Sequence, residues 1–81
     1  MALFFLTFDL RKSRDNQSLY DQLQNLHAVR ILESTWCFNR INTDAFKLRD
    51  YFKNYIDPND GLIVSEVSNW ATFNTNGNPN D

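Results

Sequence analysis

One stretch near the start constrains the fold more than any other: Ala2-Leu3-Phe4-Phe5-Leu6-Thr7-Phe8-Asp9. A β-strand sends alternate side chains to opposite faces. Phe4, Leu6 and Phe8 therefore share one face, and Leu3, Phe5, Thr7 and Asp9 share the other. Large apolar groups on both faces predict a central strand screened from water on both sides. A carboxylate closing such a strand is costly unless something pairs with it. Asp9 is thus the first candidate functional residue.

The rest of the chain reads as alternating elements. Leu10-Arg11-Lys12-Ser13-Arg14 is a short basic loop, and Asp15 is a plausible helix cap. Leu19, Tyr20, Leu23 and Leu26 recur at helical spacing and predict a helix over 15–27. Ala-Val-Arg-Ile-Leu (28–32) and Thr-Trp-Cys-Phe-Asn-Arg-Ile (35–41) read as two strands. Only Glu33-Ser34 separates them, without a strong turn residue, so one long bent strand is the alternative. Asn42-Thr43 can cap a second helix whose apolar stripe is Ala45, Leu48, Phe52 and Tyr55. Asp57-Pro58-Asn59-Asp60-Gly61 ends it, since every residue there favours a turn. Leu62 to Val67 is the last strand, and Trp70 and Phe73 suggest a docked segment after it. The Asn-rich stretch 74–81 reads as a polar flexible tail following a single domain over 1–73.

The order is βαββαβ, which predicts an α+β, ferredoxin-like (split βαβ) fold. Its four-stranded antiparallel sheet carries two helices on one face, with the first and third strands central. The helices cover only one side, yet the first strand is apolar on both. The uncovered side therefore calls for a partner, and a second copy packed sheet against sheet is the simplest one.

With 81 residues, the chain has room for one small core rich in rings, drawn from Phe 7, Tyr 3 and Trp 2. A net charge of -2 excludes a globally basic nucleic-acid binder, so such a contact must use a local patch. One Cys and one His exclude a zinc site built within one chain. A single Cys fits a reducing, cytoplasmic setting. The apolar start lacks a basic leader and is too short to span a membrane, so it reads as a strand and predicts no membrane partner.

Several residues could carry chemistry. Asp9 is either a strand-end carboxylate bonding to nearby amides or to Arg11, or a ligand for Mg²⁺ or Mn²⁺. Mg²⁺ often uses one or two carboxylates completed by water and substrate phosphate. One chain offers no obvious second carboxylate, but a two-fold axis near the strand ends would supply another Asp9. Arg11, Lys12 and Arg14 are either solvated charge or a grip on phosphates beside a metal-binding Asp9. Arg40 could extend that patch, as could Arg30. Trp36 and Phe38 share a face and read as core or interface, with base stacking open only if that face is uncovered. Cys37 and His27 have no evident geometric link and read as structural. Glu33 and Glu66 are possible supporting acids.

An apolar first strand ending in Phe8-Asp9-Leu10, followed by a basic loop into a helix, resembles two related families. One is the small CRISPR-associated adaptation protein called Cas-two; the other is the VapD virulence-associated ribonucleases. Val29-Arg30-Ile31-Leu32-Glu33-Ser34-Thr35-Trp36 looks like the former's Arg-Val-x-x-Ser-Val-Phe segment, with Ser34 on its Ser and Thr35-Trp36 replacing Val-Phe. Glu66-Val67-Ser68-Asn69-Trp70-Ala71-Thr72-Phe73 is closer to the VapD ending. The resemblance spans about residues 2–73.

The resemblance implies a ferredoxin-like homodimer. It carries over Asp9 as the acid of a divalent-metal-dependent endonuclease, and Ser34 as a structural or phosphate contact. The expected reaction is phosphodiester hydrolysis, on RNA rather than duplex DNA. The alternative is a non-catalytic dimeric adaptor or nucleic-acid scaffold, partnered by a CRISPR integrase or an antitoxin.

Overall fold

A computed structural model of the protein describes residues 1–11 and 17–80. The predicted cap Asp15, and Lys12 and Arg14 of the basic loop, lie outside the described residues. The elements are β1 (Ala2–Asp9), α1 (Gln17–Asn25), β2 (Val29–Leu32), β3 (Thr35–Arg40), α2 (Ala45–Phe52), a short 3₁₀ turn (Lys53–Tyr55) and β4 (Gly61–Val67). The four strands form one antiparallel sheet in the order β2-β3-β1-β4. The two central strands are therefore β1 and β3, as expected from the sequence.

The β2–β3 joint is a hairpin rather than one bent strand. Glu33 and Ser34 form its turn, and the pairing shifts register between Arg30 and Leu32. That irregularity lets the chain reverse without Gly or Asn, because a bulge adds local twist.

The core lies on the side of Phe4, Leu6 and Phe8, which are 0%, 0% and 6% exposed. Trp36 and Phe38 of β3 and Leu62 and Val64 of β4 face the same way. Leu19 and Leu23 of α1 and Leu48 and Phe52 of α2 close over them, so both helices pack on this one side. Residues four apart meet on one helix face. Burying each of these large side chains contributes about 1.5–3 kcal/mol. Phe4 stacks on Phe38 with ring centroids 5.9 Å apart, and Phe38 in turn meets Phe52 at 5.8 Å. Trp36 and Phe38 are thus covered by the helices, which removes the base-stacking reading.

The opposite face is only half dry, and here the sequence expectation is corrected. Leu3 and Phe5 are half-buried, but Thr7 and Asp9 are exposed. Asp9 therefore does not bear the desolvation cost inferred from a strand dry on both sides. The free edge of β2 is covered by the chain itself. The Asn76 amide donates to the Ile31 carbonyl at 2.8 Å, and Pro79 is buried. Stretch 74–80 thus lies back along β2.

The second helix starts later than Asn42-Thr43 implied. Asn42 adopts a left-handed conformation (φ 58), which Asn tolerates better than most residues. The cap moves to Asp44, whose carboxylate accepts the Lys47 amide at 2.9 Å. Among the described residues, no helix is long and apolar enough to cross a membrane.

Candidate functional site

Asp9 ends β1 opposite Gly61, the first residue of β4. On the other side, the Phe8 amide donates to the Ser34 carbonyl at 3.1 Å. The end of β1 is therefore flanked by the β2–β3 turn and by the turn that precedes β4.

Asp57-Pro58-Asn59-Asp60 forms that second turn by bonding to itself. The Asp60 amide donates to the Asp57 carbonyl at 2.9 Å, and the Asn59 amide to Asp57 Oδ1 at 3.0 Å. Asp60 Oδ2 accepts the Asp57 amide at 3.0 Å. Side chains of Asp commonly close turns in this way.

Arg11 is gathered into the same turn. Its amide donates to Asp60 Oδ1 at 2.7 Å, and Nη1 to the Asn59 carbonyl at 3.3 Å. Its Nε donates to Asp9 Oδ2 at 3.0 Å. The guanidinium lies over Gly61, where a Cβ would stand 2.9 Å from Nη2. A side chain at 61 would have to displace the end of the Arg11 side chain. The Asp9 and Arg11 side chains are nevertheless 70% and 60% exposed, so water reaches both. A shallow depression of about 230 Å³ runs beside them, lined also by Thr7, Gly61 and Ile63.

The residues predicted from sequence separate into two groups. Asp9 and Arg11 meet at one end of the sheet, where Ser34 reaches only the neighbouring Phe8 amide through its backbone carbonyl. Arg40 does not join them. It pairs with Ala2, at the opposite end of β1, about 23 Å away at the usual rise per residue. Antiparallel pairing of β1 and β3 requires this, because the end of one strand meets the start of the other. Arg30 is occupied elsewhere. It lies over the Tyr20 ring at 5.5 Å and the Trp36 ring at 5.9 Å, and donates twice to the Glu33 carbonyl at 3.0 and 2.6 Å. Glu66 pairs with Phe4 and so lies away from Asp9. Cys37 is buried, and His27 follows α1 with φ 57. Trp70 is half-buried, whereas Phe73 is 85% exposed.

Sequence reasoning missed Asn59 and Asp60 as the groups that hold Arg11. The run around Pro58 signals a turn, but nothing local says which other loop that turn will meet.

Within one chain, Asp9 is a single hard oxygen donor. Among the described residues, no three His, Cys, Asp or Glu side chains converge as a metal-binding group. The donor set fits Mg²⁺ or Mn²⁺ only as one carboxylate completed by water, substrate phosphate or a second copy of Asp9. No family model matches the sequence, and no solved structure matches the chain.

Proposed function

We propose that this chain is a divalent-metal-dependent endonuclease, favouring RNA and acting as a homodimer of the Cas-two or VapD-like type. The ferredoxin-like assignment is supported by the central position of β1 and β3 and by both helices packing on one face. One observation carries the functional reading: the Asp9 carboxylate ends a central strand yet is 70% exposed beside an arginine.

The Asp9–Arg11 pair does not block this role. An exposed ion pair contributes about 1 kcal/mol or less. Arg11 can therefore release Asp9 and turn to a phosphate at little cost. Arg11, with Lys12 and Arg14, would hold the phosphates flanking the scissile bond. Phe5 and Ile63, the latter 66% exposed, give the open face apolar surface for a second copy. A two-fold axis there would bring two Asp9 carboxylates together. Mg²⁺ or Mn²⁺ held between them would acidify a bound water and offset charge on the phosphate.

The deciding variant is Asp9→Asn. It should keep the dimer by light scattering while losing magnesium-dependent cleavage of single-stranded RNA. Cleavage by the variant as fast as by the parent would sink the proposal.

The second reading is a non-catalytic dimeric adaptor for a nucleic acid, an integrase or an antitoxin. It is favoured by the same ion pair, since Arg11 already neutralises Asp9 within one chain. A salt-dependent gel shift without cleavage, unchanged by Asp9→Asn, would support it.

A further inference from the structure

The end of the sheet remote from Asp9 holds a cavity that the nuclease reading does not use. Arg40 is the last residue of β3. It faces the helix side, because Phe38 and Trp36, two and four positions earlier, are in the core. Lys47 and Tyr51 are four apart on α2 and share one helix face. Together with Leu26, Thr43 and Leu48 they line a space of about 380 Å³. It is an open-sided groove whose Arg40, Lys47 and Tyr51 walls are exposed to water.

The charge of this cavity is one-sided. The chain as a whole carries -2, yet no Asp or Glu lines the space. Among the described residues, the ion pairs are Arg11–Asp9 and Arg49–Asp50, and neither involves Arg40 or Lys47. Of the nearest acids in sequence, Asp44 has its Oδ1 on the Lys47 amide and Asp50 pairs with Arg49. Arg40 and Tyr51 line the same space. The Tyr51 hydroxyl donates to Gln22 Oε1, which ties that wall of the cavity to α1. Leu48 is 7% exposed and gives an apolar floor.

Two cations of different kind, an apolar floor and a phenol wall define the ligand. An Arg fork engages two oxygens of one group, and a Lys adds a mobile point charge. Phosphate satisfies both at once, and the floor and wall accommodate a flat ring. We propose that the cavity between Arg40, Lys47 and Tyr51 binds a phosphomonoester of mononucleotide size, its phosphate between the two cations and its ring against Tyr51 and Leu48. The source is either a free nucleotide or the 5′-phosphorylated end of a strand. The proposal does not depend on the role of Asp9, which lies at the other end of β1.

Titration of the full chain with AMP, inorganic phosphate and adenosine, followed by amide NMR, tests it. AMP should shift the amides of Arg40, Thr43, Lys47 and Tyr51; phosphate should shift a subset; adenosine should shift none. Arg40→Ala and Lys47→Ala should each weaken AMP binding about tenfold or more, and Arg40→Lys should restore part of it. Both side chains are exposed, so the fold should survive. Asp9→Asn should leave AMP binding unchanged while testing the nuclease reading separately. A 5′-phosphorylated trinucleotide binding more tightly than AMP identifies a strand end as the ligand; equal or weaker binding identifies the free nucleotide. No shift at these amides with millimolar AMP overturns the proposal. So does equal response to adenosine, or binding that survives the double Arg40→Ala, Lys47→Ala variant.

Discussion

The Asp60 carboxylate accepts the backbone amide of Arg11 at 2.7 Å, joining the exit of β1 to the turn that precedes β4. Its second oxygen accepts the Asp57 amide at 3.0 Å. One side chain thus holds two loops that are 49 positions apart in the chain. Hydrogen bonds to a charged acceptor contribute about 1.5–3 kcal/mol each at most.

Asp60→Ala should therefore destabilise the protein by about 1–3 kcal/mol. Urea denaturation followed by circular dichroism measures this. A loss below about 0.5 kcal/mol would show that water replaces both bonds without cost.

Arg11→Met keeps most of the side-chain length and removes the ion pair with Asp9. Because both partners are largely exposed, the pair itself should contribute about 1 kcal/mol or less. The variant should therefore be less damaging than Asp60→Ala in the same titration. The reverse ranking would mean that the guanidinium, rather than the Asp60 carboxylate, holds the two loops together.

Gly77 sits where a Cβ would lie 2.5 Å from the Arg30 carbonyl oxygen and 2.8 Å from Val29 Cγ1. Both neighbours belong to β2, and the backbone oxygen cannot swing aside. Gly77→Ala should lift stretch 74–80 off β2 while leaving the core intact. Hydrogen exchange reads this directly: the Asn76 amide, bonded to Ile31, should lose protection while those of Phe4 and Leu6 keep theirs. Unchanged protection at Asn76 would count against a tight contact at this point.

The Tyr51 hydroxyl is pushed above its ordinary value near 10. The Tyr55 hydroxyl beside it is the main cause, favouring the protonated phenol, followed by partial burial and the Tyr55 charge, with Arg40 acting in the opposite sense. A folded-state pKa above the unfolded one favours the neutral phenol in the folded protein. The stability it confers is complete below about pH 10 and is lost as pH rises through the raised value. The unfolding midpoint of the parent should fall more steeply as pH rises above about 10 than that of Tyr51→Phe. Parallel curves for the two proteins would show that the shift does not couple to folding.

Much of the architecture was legible because it rests on local periodicity. Phe4, Leu6 and Phe8 alternate, and all three lie in the core. Leu19 with Leu23, and Leu48 with Phe52, recur at helical spacing, and all four are buried. The turn around Pro58 was equally clear from its residue types. The β2–β3 joint was less so, because a bulged register has no residue signature in Glu33-Ser34.

What the sequence alone determined is which side chains share a face, since strand and helix periods are properties of the backbone itself. What it could not determine is which ends and loops come together. Only the folded chain shows that Asp9 is solvated, that Asp60 anchors the loop after β1, and that Arg40 stands with Lys47 and Tyr51 instead. Those relationships depend on strand direction and register across long separations, and no local pattern of residues encodes them.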